Sequence, residues 1–188
     1  MAGTLSVQKI QGLASSATPT TVEIASGHKL SGAAGSIVAP GQVLQVQNTT
    51  NSASATTTSQ MAADDSIPQS SEGLEVMTCS ITPKSASSKL LIQVVVYGSD
   101  SGDAVMTIAL FQDSGANALA AVTAYQSTGT GTQTLSFNHF MTAGTTSSTT
   151  FKVRAAGNSG TFTLNGYSGG RKLGGVASSS ITIMEIAQ

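Results

Sequence analysis

The 188-residue chain has no tryptophan, and none of its three tyrosines and five phenylalanines lies before residue 97. Aromatic side chains supply a large share of a core's buried area, so the first half has little with which to build a core of its own. Charge is equally scarce. Lys, Arg, Asp and Glu make up 9% of residues and the net charge is −1, against about 25% charged residues in an average soluble protein. A chain so near neutrality has no basic face for nucleic acid or for an anionic membrane surface. Long apolar runs are missing too: Leu90-Leu91-Ile92 is broken at once by Gln93, far short of a bilayer span. The start lacks the basic region and apolar stretch of a secretion signal. The single cysteine, Cys79, excludes an internal disulfide and gives no sign of folding in an oxidising compartment.

Residues suited to catalysis are few. Only His28 and His139 titrate near neutrality. His139 shares a strand face with Phe137 and Met141, which marks a core or interface histidine, whereas His28 sits in an aromatic-free segment flanked by glycine. Gly98-Ser99-Asp100-Ser101-Gly102 superficially resembles a nucleophile elbow, but its central residue is Asp100 and it joins two strands, so it reads as a hairpin turn. Asp100 with Asp103 is too small a carboxylate set for calcium without a spaced acidic loop, and Asp64-Asp65 is weaker still. Cys79 has no His or Cys partner nearby in sequence. No enzyme, cofactor or metal site is expected.

What fills the chain is Ser and Thr, about 28% of it, well above average usage, and from Leu74 onward a succession of β-strand patterns. The expected strands cover residues 74–82, 89–97, 104–113, 118–126, 132–142, 149–156, 161–167 and 180–186, each bounded by Gly, Ser, Asn or Pro. In 149–156, Phe151, Val153 and Ala155 share one face while Lys152 and Arg154 share the other, the period-2 signature of a half-buried antiparallel strand. The spacing implies an all-β fold, a jelly-roll-like antiparallel β-sandwich over residues 74–188. Residues 115–125, with five alanines, offer the one weak helical alternative.

Two strands are apolar on both sides. Leu90, Ile92, Val94 and Val96 face one way, and Leu91, Val95 and Tyr97 the other; Met106, Ile108 and Leu110 oppose Val105, Ala109 and Phe111. A sheet apolar on both faces needs cover on both. With no convincing helix to provide it, a copy of the chain about a symmetry axis is the expected cover. Leu90, Leu91, Ile92, Val94, Val95, Val96, Val105, Met106 and Phe111 are therefore the candidate core and subunit-interface residues.

Residues 1–47 carry Leu5, Val7, Ile10, Val22 and Ile24 in short strand-like pieces, too little apolar surface to offset chain entropy alone. They are expected to be ordered by association, as an attachment or intertwined segment. Residues 48–73, rich in Thr, Ser and Ala, read as a linker or long loop. The run from Gly166 to Gly175 reads as a flexible hairpin tip whose Tyr167, Arg171 and Lys172 are a candidate recognition loop.

Several phrases together carry a resemblance: Thr4-Leu5-Ser6-Val7-Gln8-Lys9-Ile10 with Thr21-Val22-Glu23-Ile24, Gly32-Ala33-Ala34-Gly35-Ser36-Ile37 with Gly41-Gln42-Val43-Leu44-Gln45-Val46, and Pro83-Lys84-Ser85-Ala86-Ser87-Ser88-Lys89-Leu90-Leu91-Ile92. The chain resembles small fibre and appendage proteins of tailed bacteriophages, especially those of marine and cyanobacterial hosts. The resemblance implies a non-enzymatic virion structural protein. It would be a homotrimer anchored to capsid, neck or tail proteins through its N-terminal segment, with the β-sandwich head outward and a host surface glycan as a further partner. A trimeric capsid decoration protein is the first alternative. A carbohydrate-binding module is the alternative of another class, disfavoured by the scarcity of aromatics.

Overall fold

The alternating patterns become twelve strands, all paired antiparallel, in a computed structural model that describes residues 26–27, 37–127 and 131–188. They are β1 Val43–Asn51, β2 Ala55–Thr57, β3 Leu74–Ile81, β4 Lys89–Asp100, β5 Ala104–Gln112, β6 Ala120–Gln126, β7 Gln133–Thr142, β8 Thr149–Gly157, β9 Phe162–Leu164, β10 Gly166–Tyr167, β11 Gly170–Arg171 and β12 Ser179–Ile186. One sheet runs β1-β12-β4-β9-β2, with β7 also pairing with β4; the second runs β3-β8-β5-β6, and β10 and β11 form a separate ribbon. The chain crosses repeatedly between the two larger sheets, and the fold is an all-β, jelly-roll-like antiparallel sandwich. Leu5, Val7, Ile10, Val22, Ile24 and His28 lie outside the described residues. Among the described residues no helix is long and apolar enough to cross a membrane.

The core sits between the inner faces. Leu90, Ile92, Val94 and Val96 of β4 and Ile181 and Ile183 of β12 belong to one buried cluster with Met106, Ile108 and Leu110 of β5 and Phe151 and Val153 of β8. Burying one such side chain contributes about 1.5–3 kcal/mol. Residues 115–125 resolve against helix: β6 pairs along β5 from Ala104↔Gln126 to Leu110↔Ala120.

Residues 48–73 differ from the expected linker. β1 runs through residue 47 without a break and pairs with β12 as far as Asn51↔Ser179, and β2 pairs with β9. Ser, Thr and Asn side chains conceal these strands because neither face is markedly apolar. Beyond β2, Met61 is fully buried against Ala109, Phe111 and Ala156, with Ala118 packed beside them. The second face of β5 therefore has a cover within its own chain. For Phe111 the expected interface is replaced by this intramolecular contact, while Val105 stays half-buried.

The first and last strands of the sandwich are clasped together. The Gly41 N–H donates to the Ala187 carbonyl at 2.9 Å, and the Ala187 N–H donates to the Gln42 carbonyl at 2.9 Å. Next to this clasp the buried Glu185 accepts from Gln45 Nε2 at 2.6 Å and from the backbone N–H of Lys84 at 2.7 Å and Ser85 at 3.2 Å. Burial works against its ionisation, but these donors outweigh it, Gln45 foremost, and hold the carboxyl below the ordinary glutamate range.

Candidate functional site

Along β4 the side chains alternate between fully buried and half-buried. Leu90, Ile92, Val94 and Val96 go inward; Leu91, Gln93, Val95 and Tyr97 go outward, as a period of two requires. The strand registers extend this outward set across four neighbouring strands. Val46 of β1 pairs with Met184 of β12, Met184 with Leu91 of β4, and Leu91 with Phe140 of β7. The result is an unbroken apolar row on the solvent side of the sheet, with Val46 52% and Phe140 58% exposed. The next row is polar, Asn48-Thr182-Gln93-Asn138, and the one after is small, Thr50-Ser180-Val95-Ser136. A hollow of about 390 Å³ lies over the latter two rows, lined by Gln93, Val95, Ser136, Asn138, Ser180 and Thr182 among others. At the near edge the Lys89 ammonium is tied to Thr142 Oγ1 at 2.7 Å. An ordered face of this kind, apolar on one row and hydrogen-bonding on the next, fits a protein surface better than a small ligand.

Of the expected interface set, Leu91 and Val95 lie on this face, and Leu90, Ile92, Val94, Val96 and Met106 lie in the core. Phe140, Met184 and Val46 complete the row and escaped sequence reasoning. In sequence, Phe140 lies on the minority face of a strand whose apolar face is Leu135, Phe137, His139 and Met141, and its outward side chain shows only once β4 is placed beside it.

The Gly166–Gly175 segment is more built than a flexible tip. β10 and β11 are joined by Ser168 and Gly169, both at positive φ, and the Lys172 ammonium stands 4.0 Å from the centre of the Tyr167 ring. Arg171 is exposed, and Leu173 and Val176 expose 69% and 86% of their surface beside it. The turn starts at Asn165, which was not singled out. Its side chain is fully buried and its φ is +54°. Nδ2 donates to the carbonyls of Asn51 and Ala53, each at 2.8 Å, and Oδ1 accepts from Ser179 Oγ at 2.8 Å. The Asn165-Gly166 dipeptide was the available signal, since asparagine tolerates the left-handed region and glycine permits close approach.

The remaining titratable groups are scattered. His139 is half-buried on the inward face of β7 opposite Ile92, and burial pushes its pKa down. Cys79 is buried and free, its thiol pushed up by burial. Asp100 is fully buried in the β4–β5 turn; burial pushes its carboxyl up, and one oxygen has no hydrogen-bond partner. Asp103 beside it is exposed. Among the described residues no three His, Cys, Asp or Glu side chains are grouped to hold a metal ion.

Comparison with known proteins adds the following. Residues 46–188 match the family model of the Pgp3 C-terminal domain. Among solved structures, the Eiger TNF from S. frugiperda is similar at 14% identity, covering 76% of this chain and 92% of that one, with a TM-score of 0.44. The EclA C-terminal domain, a sugar-binding protein, is similar at 12% identity over 72% of this chain and 85% of that one, with a TM-score of 0.37. A structure of the infectious bursal disease virus Gx strain is similar at 12% identity over 84% of this chain and 42% of that one, with a TM-score of 0.37. No curated protein matches the chain. With the family model matched from the first strand of the sandwich to the last residue, the chain belongs to the Pgp3 C-terminal domain family.

Proposed function

We propose that the protein is a non-enzymatic structural module that assembles as a homotrimer through the outward face of β1, β12, β4 and β7. The observation that carries this reading is the apolar row Val46-Met184-Leu91-Phe140, continuous across four strands and left without cover among the described residues. Four adjacent outward apolar side chains form a patch of the sort that marks a protein contact. The polar row beside it supplies hydrogen-bonding groups that fix register once water is excluded. Membership in the Pgp3 C-terminal domain family supports three copies. Within this reading the module is a virion appendage, made in the host cytoplasm and joined to capsid, neck or tail proteins through residues 1–47. The support for that finer step is the fibre-like pattern of residues 4–10 and 83–92. Exposed Arg171, Leu173 and Val176 give the head a surface for a host glycan or protein.

Light scattering of the full chain at micromolar concentration tests the assembly: a mass of three chains is expected. Leu91→Asp places a charge in the middle of the row and should give monomers that keep their strand circular dichroism, because Leu91 is outside the core. Val94→Asp should unfold the sandwich instead, since an unpaired charge in the core costs several kcal/mol. A folded wild-type monomer refutes the proposal.

A further inference from the structure

The second sheet carries a groove on its solvent side, roofed by the segment that was expected to be a linker. Met61 is pinned at one end of this roof, fully buried and with its N–H donating to the Gly157 carbonyl at 3.1 Å. At the other end the Ala118 N–H donates to the Pro68 carbonyl at 3.0 Å and the Ser70 N–H to the Ala116 carbonyl at 2.8 Å. Residues 62–67 bridge these anchors and stand over β5 and β6. Beneath them lie two adjoining hollows of about 590 Å³ and 300 Å³, which share Asp64, Ser66, Pro68 and Ala121. The larger falls within the range of small-molecule sites.

Its chemistry is selective. The floor is small and apolar, formed by Val105 and Ala121, with Ala62 facing it from the roof segment. Thr107, also in the lining, is 2% exposed, and its hydroxyl has no hydrogen-bond partner. A buried hydroxyl left unpaired carries a desolvation cost, which a ligand with a matching group removes. On the roof, Asp64 Oδ1 accepts from both the backbone N–H and the hydroxyl of Ser66, at 2.8 and 2.5 Å. These bonds orient the carboxylate and hold it ionised, and they leave Oδ2 to accept from elsewhere. Tyr125, paired with Val105 across the β5–β6 ladder and two residues beyond Thr123 on the same side, exposes 62% of its surface at the end of the groove, outside the lining of either hollow. Among the described residues no Lys or Arg lines either hollow, so phosphate and carboxylate ligands find no counter-charge there.

We infer that the groove between residues 62–68 and the β5–β6 face binds a neutral pyranose, its apolar face on Tyr125 and its hydroxyls donating to Asp64. The apolar floor continues the contact, and the free carboxylate oxygen takes hydroxyl donors, which a neutral sugar offers without the repulsion an anionic ligand meets. Both anchors of the roof hold it open before binding, which lowers the ordering cost. The site lies on the sheet that does not form the proposed trimer face, so it stands or falls independently of the assembly.

The test is amide-resolved NMR of the full chain titrated with galactose, glucose, mannose, N-acetylglucosamine, sialic acid and N-acetyl-lysine amide, each to about 50 mM, since single sugars bind in the millimolar range. At least one neutral sugar should shift Asp64, Ser66, Ala121, Thr123 and Tyr125, with little dependence on salt. Tyr125→Ala should weaken that binding about tenfold, and Asp64→Asn should weaken it as well. Both side chains are exposed, so the melting temperature should not move in either variant. No shift with any neutral sugar overturns the inference, as do shifts confined to the Tyr167–Lys172 loop or binding of the anionic or cationic probe alone.

Discussion

Replacing Asn165 by alanine tests how far one buried amide holds the sandwich together. The substitution removes two donated hydrogen bonds, to the carbonyls of Asn51 and Ala53, and one accepted from Ser179 Oγ. Ser179 Oγ in turn accepts from the Tyr97 N–H at 3.0 Å, so the network joins the segment after β1 to β4 and β12. Each buried group left unpaired costs about 1–3 kcal/mol, and water entering the vacated space recovers part of it. Alanine at φ +54° adds a further 1–2 kcal/mol or so. The bond from the Asn165 N–H to the Tyr97 carbonyl at 2.8 Å survives the substitution. The expected loss is about 4–6 kcal/mol, a large part of the stability of a domain this size. Asn165→Gly removes the same side chain without the backbone strain, so it should be more stable than Asn165→Ala by about 1–2 kcal/mol. Urea denaturation at one fixed protein concentration measures both, because assembly shifts apparent stability. Asn165→Ala within about 0.5 kcal/mol of wild type, the range of ordinary surface changes, refutes the reasoning. Asn165→Gly no better than Asn165→Ala refutes the strain component alone.

Glu185 has a folded pKa below its ordinary 4.5, so its contribution is complete above that value and disappears as pH falls through the lower folded value. Glu185→Gln should flatten the acid side of the stability–pH curve, read from urea midpoints between about pH 3 and pH 6. Asp100 has the opposite sign: its folded pKa lies above 3.8, so its contribution is complete below 3.8 and is lost as pH rises through the folded value. Asp100→Asn should gain on wild type in melting temperature as pH rises from about 3 to 7; a constant difference contradicts this. Met61→Ala should cost about 2–5 kcal/mol and speed amide hydrogen exchange at residues 62–67 more than in the core strands. Arg171→Ala with Lys172→Ala should lose only the cation–π contact with Tyr167, about 0.5–1 kcal/mol, and leave the trimer mass unchanged by light scattering.

The core was legible where burial imposes a period on apolar residues. Leu90, Ile92, Val94 and Val96 alternate with Leu91 and Val95, and the first set lies in the core while the second lies on the outward face of the sheet. β1 beyond residue 47 and β2 were hidden because Asn48, Thr49, Thr50 and Ala55-Thr56-Thr57 have side chains equally at home in a polar loop. Met61 gave a signal that went unused. It is a large apolar residue alone in a polar stretch, and such a residue needs somewhere to be buried. The apolar row was half legible. Leu91 announced an outward apolar surface, but Val46, Met184 and Phe140 come from strands distant in sequence, and only pairing registers bring them into line.

The clasp between Gly41 and Ala187 fixes a direction for anything grafted onto the protein. Because the N–H and carbonyl groups on both sides of it bond across, the two chain ends of the sandwich leave from the same edge of the sheet. A reporter or enzyme fused after Gln188 would therefore sit beside Gly41, at the edge where the sandwich begins. A passenger meant for the opposite pole belongs instead between Ser168 and Gly169, in the two-residue turn that joins β10 and β11. Joining residue 188 back to residue 38 through a short spacer and opening the chain at that turn would make a circular permutant with its new ends at that turn, its strand pairings unchanged.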